Sequence, residues 1–132
     1  MIGDLDAPGD FGDHLTMALP WWLPFGDVPE VPARGLASQL GGSPPPQLVD
    51  VRTAAEFRRG HVHGAVSVPI SALPSRLRAL GLERDRAVVA ICLTGHRSIP
   101  AVRLLRRAGY DAVQLAGGML AWREAGFPEE RG

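Results

Sequence analysis

Residues 87–92, A-V-V-A-I-C, are apolar at every position. A strand with one wet face alternates polar and apolar residues, so a strand with no polar position must be covered on both faces. That requirement points to one class of fold, a parallel sheet with helices packed above and below it. The flanking sequence offers the other pieces. Q-L-V-D-V-R (47–52), A-V-S-V-P (65–69) and D-A-V-Q-L (111–115) read as further strands.

Helical signals fall between them. Arg34 to Leu40 forms a short helix that G-G-S-P-P-P breaks. Thr53 with Glu56 three residues on is a capping box, opening a helix through Phe57. Leu73, Leu77 and Leu80 share one helical face, and Gly81 stops that helix. Ala101, Leu104, Leu105 and Ala108 repeat at i, i+3, i+4 and i+7 with Gly109 just beyond, and Pro100 is tolerated in the first turn. Met119 to Ala125 makes a last short helix. The expected class is therefore α/β.

A chain of 132 residues supports one such domain with a real core. The expected division is an extension over 1–27 and a domain over 28–130. The extension is rich in Gly, Asp and Pro, with the Trp21-Trp22 pair near its end covering part of the domain surface. Fourteen basic residues balance fourteen acidic ones, which argues against nucleic acid or an acidic membrane as partner. The acidic start lacks the marks of a secretory signal. The apolar stretch L-T-M-A-L-P-W-W-L-P-F is interrupted by Pro20 and Pro24, so no membrane span is expected. One cysteine can form neither an intramolecular disulfide nor a thiolate metal cluster. The expected setting is soluble and cytoplasmic.

That cysteine is Cys92, at the end of the apolar strand, where open α/β sheets bind ligands. A helix start follows it, presenting unpaired N–H groups and partial positive charge. The turn between contains Gly95, which lets successive N–H groups curl inward as an anion nest, and His96 and Arg97 add donors. Such surroundings favour a thiolate and stabilise negative charge on an atom attached to it. Cys92 is the candidate nucleophile, and Leu93, Thr94, Gly95, His96 and Arg97 are the candidate anion-binding loop. Arg97 has two readings: it holds the anion, or it points outward and braces the helix. Asp50 and Arg52 close the neighbouring strand and either brace the loop by hydrogen bonds or pair with Glu56. His61 and His63 alternate on an extended segment but lack an evident third ligand, so they read as structural, with no metal or cofactor expected. His14 suggests nothing, and Trp122 and Phe127 read as core.

Four stretches in order, from Val28 to Pro128, resemble the rhodanese family. They are L-V-D-V-R with A-E-F, then F-R-R-G-H-V-H-G-A-V-S-V-P around Phe57, His61, Gly64 and Ala65, then C-L-T-G-H-R-S, then A-G-G-M-L-A-W-R-E-A-G-F-P. Two positions depart from the family pattern: proline is frequent where His63 stands, and tryptophan where Met119 stands. The resemblance implies a three-layer domain with a central parallel five-stranded sheet and helices on both faces. It also implies sulfur transfer through a persulfide on Cys92, from thiosulfate or a similar donor to a thiol or cyanide. Cys92 to Arg97 is six residues inclusive, which resembles the sulfurtransferase loop. Phosphatases and arsenate reductases of this fold carry one residue more. A further alternative is a regulatory or sulfur-relay module that receives sulfur from a partner protein.

Overall fold

The structure, a computed structural model, describes residues 20–24 and 26–132. His14 and most of the expected extension lie outside the described residues. Of the tryptophan pair, Trp21 is half-buried and Trp22 exposed.

In chain order the elements are β1 (Glu30–Val31), α1 (Ala33–Leu40), β2 (Gln47–Asp50), α2 (Ala54–Arg59), β3 (Val66–Ser67), α3 (Leu73–Arg76), β4 (Val88–Ile91), α4 (Ser98–Arg107), β5 (Ala112–Leu115) and α5 (Gly118–Glu124). The strands form one five-stranded sheet in the order β1-β5-β4-β2-β3, with every neighbouring pair parallel. β4 is central and fully buried. Its side chains alternate between two cores, as the pleat dictates. Val88, Ala90 and Cys92 join Val102 and Leu105 of α4 and Leu73 of α3 on one face. Val89 and Ile91 join Leu36 of α1 and Met119 and Trp122 of α5 on the other. Phe127 packs on Trp122 with ring centroids 4.9 Å apart, as expected of core aromatics.

α2 starts as its capping box predicts. The Thr53 side chain accepts from the Glu56 N–H, and the Glu56 side chain accepts from the Thr53 N–H. Two expectations need correcting. The helix drawn through Leu73, Leu77 and Leu80 is broken: α3 has four residues and is flanked by 3₁₀ turns at Ile70–Ala72 and Arg78–Leu80. Pro74 has no N–H to bond the Ile70 carbonyl, so that oxygen takes the Leu73 N–H in a tighter turn. Gly81, in the left-handed region at φ 66°, still ends the segment. The second concerns β1, which no sequence signal marked. Its two residues are too few to show a period, and it exists by pairing with β5.

Candidate active site

β4, the central strand, ends at Ile91; Cys92 follows directly, and the chain then turns sharply into α4. Two contacts hold that turn from below. The Met119 N–H donates to the Cys92 carbonyl at 2.8 Å, and the Leu120 N–H to the Leu93 carbonyl at 3.0 Å. The start of α5 therefore lies directly on the backbone of the turn. Only glycine fits at Gly118: its φ is +59°, and a Cβ there would lie 2.4 Å from the Cys92 carbonyl oxygen.

Gly95 gives the turn its inward curl. At φ +101° it adopts a conformation that other residues resist, and its N–H donates to Cys92 Sγ at 2.9 Å. The sulfur lies at the base of the turn, with Cys92 only 1% exposed. Thr94 and His96 form the exposed rim, tied to each other by Thr94 Oγ1 and His96 Nδ1 at 3.0 Å. Leu93 is half-buried. The six expected residues thus form one turn around the thiol.

Arg97 closes the turn and precedes the first residue of α4. Its guanidinium grips Glu56 with both arms, Nη1 to Oε1 at 2.6 Å and Nη2 to Oε2 at 2.9 Å. This joins the Cys92 turn to the start of α2. The Arg97 hydrogen bonds, helped by those from Thr53, hold the Glu56 carboxyl down at about 2 against an ordinary 4.5. Glu56 in turn raises the Arg97 value. A depressed carboxyl adds stability that is full above its unfolded value and fades as pH falls through its folded value. Glu56→Gln is therefore expected to lower stability at neutral pH by about 1–2 kcal/mol, allowing for solvent screening. Denaturant unfolding at successively lower pH should show the gap from wild type closing between pH 4.5 and about 2. A gap that stays constant through that window would show that the pair contributes nothing to stability.

Asp50 and Arg52 are not partners of Glu56. Arg52 Nε and Nη2 bond Asp50 at 3.0 and 2.8 Å, and Nη2 also donates to the Gly60 carbonyl at 2.7 Å. Both side chains are buried, at 0% and 1% exposure. A buried charged pair with its hydrogen bonds satisfied stitches the end of β2 to the end of α2. The pair lies beside the strand that carries the turn, since Asp50 is in register with Ile91 and the Val51 N–H donates to the Ile91 carbonyl at 2.8 Å, and Asp50 helps raise the Arg97 value.

Three contributors to the site went unread in the sequence. Ser98 Oγ is 3.3 Å from Cys92 Sγ and donates to Gln114 Oε1 at 2.6 Å; Gln114 Nε2 donates to Glu30 Oε2 at 2.8 Å. Ser98 had a signal, being next after the turn. So did Gln114, a lone polar residue inside D-A-V-Q-L. Glu30 had none.

His61 and His63 have structural contacts. His61 stacks on Phe57 with Nδ1 at 2.8 Å from the Phe57 carbonyl, and His63 contacts Glu130. Among the described residues, no group of three His, Cys, Asp or Glu side chains is placed to hold a metal ion. No helix among them is long and apolar enough to cross a membrane.

With this geometry in view, comparison with known proteins is specific. Residues 33–125 match the model of the rhodanese-like domain. A sulfurtransferase of Allochromatium vinosum is 35% identical over 102 residues, covering 76% of this chain and 94% of that protein. An HTH-type transcriptional regulator of Mycobacterium tuberculosis is 42% identical over 87 residues, covering 64% of this chain but only 38% of the regulator. Among solved structures, a rhodanese-related protein of Thermoplasma volcanium superposes with a TM-score of 0.71 at 30% identity, covering 78% of this chain and 98% of that one.

Proposed function

The chain belongs to the rhodanese-like family, and on that premise we propose that it is a sulfurtransferase with Cys92 as its nucleophile. The observation that carries the reading is the six-residue turn whose Gly95 N–H donates to the Cys92 sulfur. The Cys92 thiolate attacks the sulfane sulfur of thiosulfate or a similar anionic donor. A Cys92 S–S bond forms, the donor S–S bond breaks, and sulfite leaves with the electron pair. A thiolate or cyanide then attacks the outer sulfur of the persulfide, and Cys92 departs as thiolate. The N–H groups of the turn stabilise negative charge on the sulfur in each half-cycle. Leu93, Thr94 and His96 shape the mouth through which donor and acceptor enter. The grip of Glu56 supports Arg97 as the brace that holds the turn, rather than as a free cation for the donor. Asp50 and Arg52 fix the end of β2, which lies beside the strand that carries the turn. The cycle needs no metal or cofactor, and a lone thiol suits a reducing compartment such as the cytoplasm.

The test is intact mass after exposure to thiosulfate. The wild-type chain should gain one sulfur, removable by cyanide or dithiothreitol, and should hydrolyse aryl phosphates negligibly because the short turn crowds a phosphate dianion. A chain that gains no sulfur, or that cleaves phosphate esters as fast as it moves sulfur, sinks the proposal.

Likeness to part of a longer adenylyltransferase/sulfurtransferase of Mycobacterium tuberculosis, 39% identical over 83 residues that make up 21% of that protein, supports a second reading, a module that takes sulfur from a partner protein. Loading from a protein-bound persulfide but not from thiosulfate would favour it.

A further inference from the structure

A line of polar groups runs from the edge of the sheet to the reactive sulfur: Glu30, Gln114, Ser98, Cys92. Its contacts are 2.8, 2.6 and 3.3 Å long. Ser98 and Gln114 are buried, at 0% and 5% exposure, while Glu30 is exposed at the edge strand. The direction of donation along the line is set at its outer end. A carboxylate only accepts, so the Gln114 amide turns its NH₂ to Glu30 and its oxygen to Ser98. An amide oxygen also only accepts, so Ser98 commits its one proton to Gln114. What Ser98 then turns to the sulfur is a lone pair. That lone pair takes a hydrogen bond from a thiol S–H and offers none to a thiolate. From the other side, the Gly95 N–H donates to the same sulfur at 2.9 Å and favours the anion. The two neighbours of the sulfur pull its ionisation in opposite directions; of the charges nearby, Arg97 interacts favourably with a Cys92 anion, and Asp50, bonded to Arg52, opposes it.

We propose that Glu30 and Gln114 are positioning residues for Cys92. Acting through Ser98, they favour the protonated thiol between turnovers, and freeing the Ser98 hydroxyl to donate to sulfur makes Cys92 release its proton to water more readily. The inference deepens the reading of Cys92 as the nucleophile of sulfur transfer and rests on it. Its consequence is protective. Oxidation follows thiolate character, and a chain with one cysteine has no second thiol to resolve a sulfenic acid as a disulfide.

The experiment is the rate of iodoacetamide alkylation of the full chain as a function of pH. Glu30→Gln lets the amide of Gln114 turn either way, and Gln114→Met removes the acceptor of the Ser98 proton. Each should move the alkylation midpoint down by about one pH unit, the scale of one hydrogen bond to a charged group. Glu30→Gln also deletes a charge, which by itself shifts the midpoint the same way, so both substitutions are repeated in a Ser98→Ala background. There Gln114→Met should no longer move the midpoint, and the Glu30→Gln shift should shrink to the part that the lost charge alone supplies. Midpoints unchanged in both single variants, a Gln114→Met shift that survives without Ser98, or a Glu30→Gln shift undiminished without it, overturns the proposal. Glu30 is exposed, so its variant keeps the test open even if Gln114→Met fails to fold. Alkylation needs only a thiol. Shifts in the variants with no sulfur loaded on the wild-type chain from thiosulfate defeat sulfur transfer and leave the relay standing; loading of the wild-type chain without shifts in the variants defeats the relay alone.

Discussion

Cys92→Ser protein is expected to load no removable sulfur from thiosulfate, and its rate of sulfur transfer to cyanide should fall by at least about a thousandfold, the scale on which enzymes lose rate when a nucleophile is removed. The replacement oxygen keeps the hydrogen bond from Gly95 and a neighbour in Ser98, so the turn retains its partners. What disappears is a soft, ionisable atom able to share a bond with a second sulfur. No second cysteine exists to take over. Thermal unfolding close to that of wild type is the control that separates lost chemistry from lost fold. Removable sulfur on the serine protein would move the reaction to another site altogether.

Gly118→Ala is expected to be the most damaging single methyl group in the chain. The added carbon meets the Cys92 carbonyl oxygen at 2.4 Å and the Leu93 carbonyl at 2.5 Å, both backbone atoms of the reactive turn. It also forces a side chain to φ +59°. Backbone strain and overpacking together should cost about 2–6 kcal/mol, a large part of the roughly 5–15 kcal/mol that stabilises a domain. Relief would have to come by pushing the turn away from α5, which breaks the Met119 and Leu120 hydrogen bonds and displaces the sulfur. Gly64→Ala is the matched control, with φ +87° but nothing within 4 Å of the added carbon. Denaturant midpoints should fall far more for Gly118 than for Gly64, and thiosulfate loading should fail only in the former. Equal losses at the two glycines would mean that φ strain, not the contact with the turn, decides.

The parts of this protein that were legible in its sequence are those whose cause is local. Six apolar residues at 87–92 required cover on both faces, and β4 has it. Thr53 and Glu56 are one helical turn apart, so their reciprocal capping could be read directly. A cysteine at a strand end followed by glycine three residues later described the shape of the Cys92 turn, because chain direction and the φ of Gly95 make it. The α3 region shows the limit even of local reading: the leucine spacing was right, yet the chain tightens into 3₁₀ turns on both sides of four helical residues, and Pro74 accounts only for the first of them.

Tertiary structure alone decided the partners. Glu56, explained in the sequence by its capping box, is also held by Arg97 from 41 residues away. Arg52 took Asp50 and Gly60 in place of the Glu56 that seemed available. Glu30 lies 84 residues from Gln114 and meets it only because β1 adds itself to the edge of β5. A side chain's propensity and spacing are properties of its own few neighbours along the chain. Which donor faces which acceptor depends on the order in which the strands are laid side by side, and only the folded sheet contains that information.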